Sequence, residues 1–129
     1  MGFASAWLEK HALFPSIIQE APDKNTGIIV VVPAFDEPEI TTLLDSFANC
    51  SHPGCRAEVI IVANAPDGAG EESLSNTRES ISAARSWKKL NRNLFFDVHI
   101  VDGLDLKPSG WSVVLARKTG MYEAVRRFD

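Results

Sequence analysis

The chain has 129 residues, the length of one ordinary domain, and a chain this long buries roughly two-thirds of its unfolded surface without disulfides or metal. Hydrophobic residues make up 45% and charged residues 23%, a balance that excludes a disordered or fibrous protein. The net charge of -4 lacks the basic excess of a nucleic-acid binder, and two cysteines are too few for a disulfide framework, which points to a reducing compartment.

The longest apolar run, residues 28–34, is far short of the ~20 residues that span a bilayer. The start, Met1-Gly2-Phe3-Ala4-Ser5-Ala6, lacks the basic and long apolar regions of an export signal. It also misses the myristoylation pattern, because Ser5 falls one place early. The expected location is cytoplasmic, either free or against the inner face of a membrane.

Residues 1–26 read as an N-terminal helical extension. Phe3, Trp7, Phe14 and Ile18 fall at helical spacing, and Pro15 divides the segment into two short helices. A loop of turn formers covers residues 22–27. Residues 28–32 are a continuous β-branched run, the mark of a strand covered on both faces. Ile40, Leu43, Leu44, Phe47 and Ala48 then give a helix with one apolar stripe, with Asp36 as its cap and Glu39 three residues on. A second buried strand covers residues 58–63. The helix after it spans roughly 71–90, with Leu74, Ile81, Ala84 and Trp87 inward. Residues 95–101 form a third strand, with Phe96, Val98 and Ile100 on one face. A last helix spans roughly 109–127, with Trp111, Val114, Leu115, Met121, Tyr122 and Val125 as its apolar stripe.

Strands alternating with helices predict an α/β fold: a Rossmann-like parallel sheet of β-α-β-α-β-α order with right-handed crossovers. The three strands should lie side by side in chain order. Three is fewer than the roughly five or six of a mean sheet, so residues 27–129 read as the first half of a larger domain. A half-domain of this kind leaves the first strand with an open edge, and self-association is expected.

Ligands of open parallel sheets bind at the carboxyl ends of the strands. Those ends are Pro33-Ala34-Phe35-Asp36-Glu37, Ala63-Asn64-Ala65-Pro66-Asp67-Gly68 and Asp102-Gly103-Leu104-Asp105. Turn and cap chemistry accounts for much of this composition, yet three polar ends together make a candidate crevice. No G-x-G-x-x-G, P-loop or G-x-S-x-G pattern occurs, so a dinucleotide fold, a P-loop and the common hydrolase elbow are set aside.

The run Ile29-Val30-Val31-Val32-Pro33-Ala34-Phe35-Asp36-Glu37, with Thr42-Leu43-Leu44-Asp45-Ser46 on the next helix, resembles the opening of family 2 glycosyltransferases. Glu58-Val59-Ile60-Ile61-Val62 is similar to that family's next strand. Ala116-Arg117-Lys118-Thr119-Gly120 with Ala124 resembles its Ala-Arg-Asn-x-Gly helix. The likeness covers residues 28–125 and implies the nucleotide-binding half of a GT-A fold. It implies an enzyme that moves a sugar from a nucleoside diphosphate sugar to an acceptor hydroxyl. Pro33, Ala34 and Phe35 would then wall the base, Glu37 would contact the nucleoside, Asn64 would offer an amide edge, and Arg117 would approach the base or phosphates, with Lys118 as fallback.

Asp36 replaces the family's Asn, and Ala63 replaces its base-reading Asp. The Asp-x-Asp metal pair and the catalytic acid have no counterpart, since Asp102 and Asp105 differ in spacing and place. No catalytic or metal-binding residue is therefore assigned. The divalent cation (Mg or Mn) belongs to a full-length enzyme only, and this chain alone should be inactive. Two clusters are set aside: Cys50-Ser51-His52-Pro53-Gly54-Cys55, short of a four-ligand zinc set, and the isolated His11 and His99. The rival reading is a non-enzymatic regulatory module such as a phospho-receiver, with Asp36 and Glu37 as the acidic pair and Asp102 as phosphoacceptor.

Overall fold

A computed structural model describes residues 2–12, 14–106 and 113–129. In chain order the elements are α1 (Ser5–His11), β1 (Thr26–Ala34), α2 (Ile40–Ala48), β2 (Arg56–Ala63), α3 (Glu71–Leu90), β3 (Phe96–Asp102), α4 (Gly103–Leu106) and α5 (Val113–Phe128). The three strands form one parallel sheet in the order β1-β2-β3. Both the α/β class and the neighbour order match the expectation from sequence. The ladder pairs Val30 with Val59 and Ile60 with His99.

β2 is central, and seven of its eight residues are buried. Covered on both faces and paired on both edges, such a strand needs apolar side chains of both parities. On one face Val59, Ile61, Phe96 and Val98 meet Leu44 of α2 and Ala84 and Trp87 of α3. Two crossovers in the same direction along the sheet leave α2 and α3 together on that face, as crossovers of one hand require. A bond of 2.8 Å from the Trp87 indole N–H to Asp45 ties the two helices. On the other face Ile60, Val62 and Val101 pack against Ala116 of α5, with Phe14, Ile17 and Ile18 at the margin. Burying each of the large aliphatic side chains contributes about 1.5–3 kcal/mol.

The structure corrects four local expectations. Of the two N-terminal helices only α1 forms among the described residues, and residues 14–23 hold no helix. That segment is irregular, and part of its backbone is bonded elsewhere: the N–H groups of Ile17 and Ile18 donate to the Glu123 carboxylate at 2.6 and 2.8 Å. α2 begins at Ile40 with Glu39 in the cap position and no side-chain cap bond, so Asp36 is not its cap. Of the expected α5 stripe, Tyr122 is buried and Leu115 packs at the core margin, while Val114 and Met121 are exposed. Ala116, Thr119, Gly120 and Glu123 are inward as well, and small residues stand at Ala116 and Gly120 because α5 lies close on the β-branched sheet there. His99 is not isolated; its partners are described below. Trp111 lies outside the described residues. Both cysteines are free thiols, and the Cys50 thiol donates to the Ser46 carbonyl at 3.3 Å.

Candidate functional site

The carboxyl ends of the strands stand side by side, with Ala34 paired to Ala63 and Ala63 to Asp102. The Asn64 N–H donates to the Ala34 carbonyl at 2.9 Å and extends the ladder past the end of β2. Beneath these ends Ala63, Ala65, Ile81 and Leu104 form a small apolar cluster.

The loop after β1 turns sharply at Asp36, whose φ of 49° is in the left-handed region. An Asp tolerates that region better than most residues, and α3 holds it there. The Asp36 N–H donates to Thr77 Oγ1 at 2.9 Å. Its carboxylate accepts from Ser73 Oγ at 3.1 Å and Asn76 Nδ2 at 2.8 Å. Ser80 Oγ donates to the next carbonyl, that of Glu37. Four residues on successive turns of α3 thus fix the β1–α2 loop. The sharp turn leaves the Phe35 ring 36% exposed at the mouth of the strand ends.

Pro33, Ala34, Phe35 and Glu37 are together by chain continuity, and Asn64 joins them through the Ala34 carbonyl. Ala34 is in the core at 4% exposure. Glu37 Oε1 accepts the Glu39 N–H at 2.8 Å, so this carboxylate is turned toward the start of α2. Asn64 is 2% exposed, which places its amide inside the strand ends and not on an open wall. Arg117 is exposed on α5, one turn before Gly120, the position that abuts Val31 and Val62. It makes no hydrogen bond or ion pair with the other five. Lys118, also exposed, holds its Nζ 5.8 Å from the Tyr122 ring centroid. Asp102 Oδ1 accepts the Leu104 N–H at 3.0 Å. Among the described residues no three His, Cys, Asp or Glu side chains are placed to hold a metal.

Sequence reasoning missed a buried ionic cluster on the opposite half of the sheet. Glu58 of β2, 1% exposed, takes a bidentate pair from Arg127 of α5 at 2.5 and 2.7 Å. His99 of β3, 7% exposed, holds its Nε2 3.0 Å from the same carboxylate. Arg127 also donates to the Glu20 carbonyl at 2.8 Å. Burial acts to raise the Glu58 pKa, but the Arg127 and His99 bonds outweigh it and hold the carboxyl below its ordinary value. The same pairing raises Arg127. An acid within an otherwise apolar buried strand was the available signal. A second salt bridge, Arg126 to Glu123 at 2.6 Å, binds the carboxylate that holds Ile17 and Ile18.

No helix among the described residues is long and apolar enough to cross a membrane. No family model, curated protein or solved structure matches this chain.

Proposed function

We propose that the chain is the nucleotide-binding half of a family 2-like glycosyltransferase, with a nucleoside diphosphate sugar as donor and a hydroxyl as acceptor. One observation carries the reading: the loop of residues 33–37 leaves β1 at the carboxyl end of a parallel sheet and turns at a left-handed Asp36, with an aromatic ring open to solvent. That is the place where open parallel sheets take nucleotides, and an exposed ring supplies a face on which a base can stack.

In this reading Phe35 stacks on the base while the backbone of Pro33 and Ala34 forms the wall behind it. Glu37 meets the nucleoside once its carboxylate leaves the Glu39 N–H, and Asn64, 2% exposed, meets it only if the strand ends open. Arg117 supplies positive charge toward the diphosphate. The chain holds no carboxylate assigned as acceptor base, so the transfer step itself belongs to residues outside this set. Arg117 is exposed and bonded to none of the other site residues, so the site is poorly preorganised, and the expected affinity is on the order of millimolar, roughly 4 kcal/mol of binding free energy.

Amide NMR titration with UDP, GDP and ADP tests this. Shifts should cluster at residues 33–37 and 63–67 and around Arg117, and Arg117→Ala should weaken them. Absence of shifts at those positions for all three nucleotides would remove the assignment.

A further inference from the structure

β3 is an edge strand, and among the described residues no strand pairs with its outer side. The Phe95 carbonyl accepts the Ala57 N–H at 3.0 Å. The alternation of a parallel ladder then turns the N–H and C=O groups of Phe96, Val98 and Ile100 outward, away from β2. Such a row is a template for another strand.

A groove of about 830 Å³ follows this edge and touches all five residues from 96 to 100. Successive side chains of a strand point to opposite faces, so a cavity that meets five in a row runs along the edge and not over one face. Residues 17–20 form one wall, with Ile17 and Ile18 apolar. The other wall is the end of α3 and the turn after it, where Arg85, Lys88, Lys89 and Arg92 are all exposed. A second cavity of about 320 Å³ continues past Asp102, sharing Arg85 and Lys89 and adding Arg78. The acids on the groove are Glu20 and Asp97, and Asp97 is paired with Arg56 at 3.0 Å. In a chain of net charge -4, this wall is a local reversal of sign.

We infer that the open edge of β3 takes an extended acidic peptide as a fourth strand. The outward backbone groups supply the pairing, and the α3 cations supply the selection for charge. A second copy of this edge would bring the same cations and be repelled. A nucleic acid would satisfy the cations but offers no matching row of N–H and C=O groups. Five residues of strand span about 17 Å, so the recognised segment is short. Its acidic side chains point toward α3, and its alternate, apolar ones toward Ile17 and Ile18.

The test uses the full chain and three probes: a blocked ten-residue peptide of alternating Glu and Val, its Lys–Val counterpart, and a single-stranded oligothymidylate. The Glu–Val peptide should bind, should shift residues 96–100 in NMR spectra, and should slow amide hydrogen exchange at Phe96, Val98 and Ile100. The Lys–Val peptide should not bind. The triple variant Lys88→Glu, Lys89→Glu, Arg92→Glu, in exposed positions, should keep its fold by circular dichroism and weaken binding about tenfold, a factor of a few for each surface charge. Failure of the Glu–Val peptide to bind overturns the inference. So do equal binding of the Lys–Val peptide and binding with no slowed exchange at those three amides. Binding of the oligothymidylate alone would make the surface a nucleic-acid site instead.

Discussion

Gly120 offers a direct test of how closely α5 lies on the sheet. A Cβ built there would stand 2.3 Å from Val31 Cγ1 and 3.0 Å from Val62 Cγ2. Carbon atoms rest at about 3.5–4.0 Å, so the first contact is short by more than an ångström. Val31 is β-branched and stiff at χ1, and Val62 is fully buried behind it. Relief therefore requires α5 to lift, which strains the Glu123 and Arg127 bonds on the same helix face. Gly to Ala in a helix interior gains about 1 kcal/mol of propensity, while overpacking costs about 1–3 kcal/mol. With an overlap this large the upper end applies, and Gly120→Ala should lose about 2 kcal/mol. For a domain of this size that lowers Tm by about 6–10 °C. Urea and thermal unfolding followed by circular dichroism would measure it. The double variant Gly120→Ala, Val31→Ala should lose less than the sum of the two single changes, by about 1 kcal/mol of coupling. If Gly120→Ala equals or exceeds the parent in stability, the close approach of α5 to β1 and β2 is wrong.

Two further outcomes concern the ionic cluster. Arg127→Met leaves Glu58 buried with only His99 as partner, and should destabilise by about 3–5 kcal/mol in chemical unfolding; a loss below about 1 kcal/mol would show that water reaches Glu58. Because the folded pKa of Glu58 is lowered from the ordinary 4.5, its contribution is complete above that value and is lost as pH falls through the folded value. The stability gap between the parent and Glu58→Gln should accordingly narrow as pH falls through the acid range, and a gap that does not change there would contradict the pairing.

The sheet was legible in the sequence because its signal is local and strong. Residues 28–32 and 59–62 are unbroken β-branched or apolar runs, and the stripe of α2 begins and ends where its spacing does. The polar half of the α5 interface was not legible. Thr119, Gly120 and Glu123 carry no hydrophobic signal; they are inward because their partners, Val31 and the N–H groups of Ile17 and Ile18, come from distant parts of the chain. The non-helical course of residues 14–23 follows from the same long-range bonds, which override helical spacing. At the candidate site the clustering of residues 33–37 with Asn64 follows from strand order alone. The grip of α3 on Asp36 does not, since Ser73, Asn76 and Thr77 read in sequence only as ordinary helix-surface residues.

The Glu58–Arg127 pair also makes the central strand dependent on the last helix. The two residues are 69 apart in the chain, and the acid sits in the central strand while its partner sits in the last helix. Covered without its guanidinium, that carboxylate would stand several kcal/mol above the paired state. The α5 face of β2 is therefore a dry interface only with α5 in place. The N-terminal segment depends on the same helix, through Glu123 for Ile17 and Ile18 and through Arg127 for Glu20. Displacing α5 would thus unpair a carboxylate in the central strand and release the N-terminal segment together.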